Sequence, residues 1–141
     1  MNRSPPSVNG SMRSGGSSME LNEICDTAHD YAKRQGFYEQ MSLGEKLMLI
    51  VSEVSEAMEA MRTRQILGRH GVEPYIIKRL LEVPPERVDF EKFKGSFAEE
   101  LADIIIRVCD LAGYYKIDLD WFVRAKMAYN ETRPYKHGKA F

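Results

Sequence analysis

Little in this chain supports a secreted, membrane-spanning or nucleic-acid-coating protein. Its 141 residues include two cysteines and one tryptophan. Cys25 and Cys109 match no metal-ligand spacing, and both fall on apolar helical faces, where a small buried thiol is the ordinary occupant. A reducing, cytoplasmic setting is expected. No apolar run approaches the roughly 18 residues that cross a bilayer, so no membrane association is expected. An excess of either charge is missing too: 20 basic side chains face 21 acidic ones, for a formal net charge of -1. That balance gives no global pull toward nucleic acid, and electrostatic specificity must be local. Glu-x-x-His is also lacking, because Asp26, Leu67 and Pro134 stand three positions before His29, His70 and His137. A di-iron carboxylate bundle is thereby excluded.

The remaining composition, 43% hydrophobic and 29% charged, is that of one ordinary globular domain with a real core. Residues 1–19 are rich in Ser, Gly, Pro and Asn and hold no acid. Disorder is expected there, since so few apolar groups cannot offset the entropy of ordering. Organelle targeting or a non-native leader, with Met19 as a candidate start, are the alternatives. Residues 20–141 form the expected single helical domain.

Helical periodicity runs through that domain. From Glu20 to about Gln35, Leu21, Ile24, Cys25, Ala28, Tyr31 and Ala32 recur on one face, and Gly36 is a natural stop. Ser42, with Glu45 three positions on, opens a second helix to about Arg64, with the apolar stripe Leu47, Ile50, Val51, Val54, Met58 and Met61. Ser96 and Glu99 repeat the capping pattern ahead of Phe97, Leu101, Ile104, Ile105, Val108 and Leu111, and Gly113 lies near that helix's end. Asp118 or Asp120 opens a fourth helix that finishes near Arg133, before Pro134. Between the second and third helices, 66–95 is irregular: a Gly turn, a short helix in PYIIKRLLEV and a loop in PPERVDFEKFKG. Lid, oligomer contact and plain connection remain open for it. The predicted class is all-α with a four-helix core.

The chemistry lies in two acid pairs. Glu53 and Glu56 on the second helix, and Glu100 and Asp103 on the third, are each spaced i, i+3, so each pair shares one helix face. Paired helices would gather four carboxylates, an arrangement that repels itself unless a divalent cation sits within it. Oxygen-only donors suit magnesium, or manganese. At about 100° per residue, both pairs fall at the margin where apolar stripe turns to solvent. Solvated flank residues occupy such margins too, and Asp103 with Arg107 also reads as an ordinary i, i+4 ion pair.

On the fourth helix, Lys126 and Asn130 fall within the apolar face of Leu119, Phe122, Val123 and Met127. A lysine there either meets an anion or snorkels to water. Downstream, TRPYKHGKAF carries Arg133, Lys136, His137 and Lys139 without an acid. Such a tail is either solvated or closes over a polyphosphate, arginine through paired hydrogen bonds and lysines as point charges.

Taken in order, SEVSEA around Glu53-x-x-Glu56, EELADIIIRV around Glu100-x-x-Asp103, KIDL and KMAYNETRPYKHGK resemble the MazG-like all-α nucleoside triphosphate pyrophosphohydrolases. That superfamily includes dimeric dUTPases and dCTP pyrophosphatases, and the resemblance covers about 21–64 and 96–141. It implies Glu53, Glu56, Glu100 and Asp103 as magnesium ligands, with Glu53 the first choice to take the proton of the attacking water. Lys126, Asn130 and Arg133, with Lys136 and Lys139, would meet the phosphates, Lys126 in a catalytic role. His29, Phe37 and Tyr38 would touch the base, although helix packing and core are their readings without the resemblance. The implied reaction yields a nucleoside monophosphate and pyrophosphate from a triphosphate, typically a deoxynucleotide or modified deoxynucleotide. A homodimer or homotetramer is implied as well, and Met-rich and aromatic helix faces point the same way. Two features depart from the family pattern. Glu56 and Glu100 are further apart than usual, the excess lying in 66–95, and Arg107 stands close to the acids, where it would contact substrate or replace a cation. A non-catalytic helical interaction module is the alternative from another class.

Overall fold

In the computed structural model, residues 20–134 are described, and all of their regular structure is helical. The expectations for 1–19, Lys136, His137 and Lys139 lie outside the described residues. The helices are α1 (Leu21–Arg34), α2 (Leu43–Arg62), α3 (Pro74–Leu80), α4 (Phe97–Tyr114) and α5 (Leu119–Glu131), with single 3-10 turns at Pro85–Arg87 and Phe90–Lys92. The all-α expectation is met, and the short helix expected in 66–95 is α3. Among the described residues no helix is long and apolar enough to cross a membrane.

Local chemistry explains the boundaries. The Ser42 hydroxyl accepts the Glu45 N–H at 3.3 Å while the Glu45 carboxylate accepts the Ser42 N–H at 2.6 Å, a reciprocal cap on α2. Ser96, fully buried, accepts the Glu99 N–H at 3.2 Å and caps α4. Glu99 does not close a second box there; its carboxylate accepts the Gly95 N–H and pairs with Lys94. Asp118 caps α5 through the Trp121 N–H at 3.0 Å and accepts from Asn22 of α1 at 2.8 Å.

Helix α4 packs against both α1 and α2. Cys25 meets Gly113 and His29 meets Asp110, while Glu53 meets Arg107 and the Gln65 carbonyl meets the Phe97 N–H, so both pairings are antiparallel. The 66–95 excursion leaves and returns at one point: Gln65 and Ile66 carbonyls accept the Phe97 and Ala98 N–H groups at 2.7 and 3.0 Å. The extra length therefore does not part α2 from α4.

Two expectations need correction. The large apolar side chains taken for the inward stripe of α2 point outward instead: Leu47, Val51, Val54, Met58 and Met61 are exposed, Met58 at 58%. Its buried residues are Lys46, Glu53, Ala57 and Ala60. Small and carboxylate side chains thus fill the α2–α4 seam, and the bulky stripe is exposed. Likewise α5 reaches the core cluster through the partly buried Leu119, while Phe122, Val123 and Met127, expected on its inward face, are exposed. It packs on α1, fully buries none of its own side chains, and leaves Lys126, Asn130 and Arg133 exposed rather than within a buried face.

Candidate metal centre

Sequence puts Glu53 seven residues after Lys46 and four before Ala57, on the inward line of α2; Glu100 and Asp103 share one face of α4. Antiparallel packing brings the two faces together. One carboxylate oxygen from each of Glu53, Glu100 and Asp103 lies within 4.8 Å of the others. Ligands on opposite sides of magnesium stand about 4.2 Å apart, so small side-chain adjustments close this triad on one ion. Glu53 and Glu100 are each only 6% exposed, and Asp103 is half-buried. The donors are all hard oxygens, as magnesium and manganese require.

Glu56 stands outside this triad. Its side chain is exposed and accepts the Ser52 hydroxyl at 3.4 Å, yet its charge is felt at Glu100. Burial pushes the Glu100 carboxyl up to about 7, helped by the negative charges of Glu56, Glu99, Asp103 and Glu53. Asp103 is raised by burial first, then by Glu53 and Glu99, against the opposing pull of Arg107 and Lys94. Three close acids with two of them raised are the signature of carboxylates short of positive charge. Part of that charge comes from Arg107, whose Nε donates to Glu53 Oε1 at 2.5 Å. The i, i+4 pairing expected for Arg107 with Asp103 is replaced by this link across helices.

A cavity of about 250 Å³ adjoins the acids, lined by Asp103 and Arg107 at one end and by Phe37, Tyr31, Lys46 and Asp110 beyond. Phe37 thus lines a cavity beside the triad. His29 and Tyr38 act on its wall instead: His29 Nδ1 lies 3.0 Å from Asp110 Oδ1, and the Tyr38 hydroxyl donates to the same oxygen at 2.6 Å. The Tyr38 ring stacks on Tyr114 at 4.9 Å and carries the Lys46 ammonium 3.4 Å from its centre. Burial and then Asp110 hold the Tyr38 hydroxyl well above the usual phenol range. Asp110 and Lys46 were not singled out from sequence, and Glu99 was read there only as a capping residue. A signal for two of them existed: Lys46 precedes Glu53 by two helical turns, and Asp110 follows Asp103 by two.

Lys126, Asn130 and Arg133 are not gathered with the acids by ion pairs: among the described residues, the cations paired with acids around the centre are Arg107 and Lys94. The Lys126 ammonium lies 4.7 Å from the centre of the Tyr129 ring on its own helix. Comparison with models of protein families, with curated proteins and with solved structures gives no match.

Proposed function

We propose that this protein is a magnesium-dependent nucleoside triphosphate pyrophosphohydrolase, releasing a monophosphate and pyrophosphate. The observation that carries the reading is the triad: three carboxylates from two antiparallel helices converge within 4.8 Å, two of them almost fully buried. Structural ion pairing alone gives no reason to bury acids against acids. The ordered motifs around Glu53, Glu56, Glu100 and Asp103 support the same reading.

Glu53, Glu100 and Asp103 would hold the cation, which when bound neutralises phosphate charge and makes water a better nucleophile. Glu56, beside the triad but outside it, is placed by this reading to take the attacking water's proton, in preference to Glu53, whose carboxylate is taken up as a ligand. The adjoining cavity, with Phe37 and Tyr31 on its walls, takes the base. Asp110, anchored by His29 and Tyr38, offers a fixed acceptor to it.

A second copy of the chain belongs to this proposal. The half-exposed stripe Leu47, Val51, Val54, Met58 and Met61 gains about 1 kcal/mol per side chain on complete burial, half the value for a fully exposed one. Lys126, Asn130 and Arg133, exposed on and just after α5, are the groups by which this reading has one copy meet phosphates, its own or its partner's. The same stripe is what favours the other reading, a non-catalytic helical module. Its thermal stability would ignore magnesium and nucleotide.

The test is a screen of natural and modified (deoxy)nucleoside triphosphates with magnesium, products resolved by phosphorus NMR. Pyrophosphate with monophosphate is expected for at least one. Orthophosphate with diphosphate, or no turnover of any substrate, contradicts the assignment.

A further inference from the structure

Arg107 is where the acid cage departs from an oxygen-only nest, and its geometry has a consequence. It lies four residues after Asp103 and seven after Glu100, so the three share one face of α4. From there its guanidinium crosses to α2 and donates to the buried Glu53 at 2.5 Å. The Glu53 oxygen it holds belongs to a residue that also contributes to the triad. Arg107 is itself about a third exposed, and it lines the neighbouring 250 Å³ cavity. The side chain therefore has both a partner to leave and open space to enter.

We propose that Arg107 is the cage's resident counter-ion: it occupies Glu53 until a divalent cation enters, then yields that carboxylate and turns into the cavity. Three clustered acids without any cation would strain the α2–α4 contact, and one guanidinium relieves part of that repulsion. A monovalent ion gains nothing from the exchange, because one positive charge replaces another. A divalent ion adds a net charge, so the exchange discriminates by valence. Arg107 in this role positions Glu53 and is distinct from the ligands themselves.

This inference rests on the metal-centre reading above, and its readouts are binding and spectroscopy rather than turnover. In the full-length wild-type protein, the Arg107 Nε–H resonance is assigned by its loss in Arg107→Met and followed by nitrogen NMR. Without divalent ions, a protected low-field signal is expected. Magnesium is expected to remove that protection, while potassium chloride at matched ionic strength leaves it. A signal unmoved by magnesium, or moved equally by potassium, overturns the proposal even if hydrolysis is found. For the Arg107→Met variant, the manganese dissociation constant read by electron paramagnetic resonance is expected to fall about tenfold as the competitor is removed. Unchanged or weaker binding overturns it. If that variant does not fold, Arg107→Lys supplies the assignment and the wild-type NMR titration decides. Manganese binding to neither protein overturns this inference and the metal-centre reading together.

Discussion

Helix α4 meets its two neighbours by opposite means. Against α1 the contact is close and mostly apolar: Cys25, Ala28, Cys109 and Ala112 form a small buried cluster beside the His29–Asp110 pair, and Gly113 leaves no room for a side chain. Against α2 the seam buries carboxylates beside Ala57 and Ala60, with one arginine at its edge. Burial acts in both seams with different results. In the first it raises the Cys109 thiol to about 12, which keeps it protonated and inert. In the second it raises Glu100 into the physiological range, which leaves the site responsive to charge. One face of the helix serves cohesion, while the other gathers like charges at a cost in cohesion.

Substitution of the acids should break the comparison most strongly. Glu53→Gln and Asp103→Asn are each expected to lower turnover of the best triphosphate by about 100-fold or more, since a lost ligand removes charge stabilisation where it is needed. Glu56→Gln should lower turnover comparably while keeping metal affinity within a few-fold, measured by calorimetry; loss of affinity with activity would make Glu56 a ligand instead.

Acidity sharpens the contrast next. Glu100 has a folded-state value of about 7 against 4.5 for the ordinary group, so the folded protein binds this proton more tightly than the unfolded chain does. Stability without metal is then greatest below pH 4.5 from this group and is lost as pH rises through 7, by up to about 3 kcal/mol. Thermal melts at pH 5 and pH 8 with chelator should show the fall, and magnesium should reduce it. Glu100→Gln should reduce the pH dependence, leaving the smaller contribution of the raised Asp103, and raise the pH 8 midpoint in chelator.

The α1–α4 seam should respond in the opposite sense. A Cβ on Gly113 would stand 2.6 Å from the Cys25 carbonyl oxygen, so Gly113→Leu must push the helices apart. About 1–3 kcal/mol of destabilisation is expected, equal with and without magnesium. A loss confined to the magnesium-bound form would mean the seams are not separate. The smallest effect is at an end: Ser42→Ala should lower stability by about 1 kcal/mol, read by urea denaturation, with metal affinity unchanged.

Helix positions were legible in the sequence because Ser42, Ser96 and Asp118 announce starts through hydrogen bonds that need no tertiary context. The convergence of Glu53 with Glu100 and Asp103 was legible too, since i, i+3 spacing fixes a shared face. Which face turned inward was not. An apolar stripe marks a surface that will be covered, not what covers it, and on α2 the helix packs through Ala57 and Ala60 instead. The same ambiguity affected α5, where Leu119 packs on the core cluster as its apolar spacing suggests but Phe122, Val123 and Met127 are exposed. Asp110 was missed because its role depends on His29 and Tyr38, 81 and 72 residues away.

The most direct test of the shared cation site is a manganese titration of wild-type protein followed by calorimetry, repeated for Glu53→Gln, Glu100→Gln and Asp103→Asn. Saturable binding in the first, weakened about tenfold or more in each of the others, is the predicted result. Equal affinity in all four proteins would contradict it.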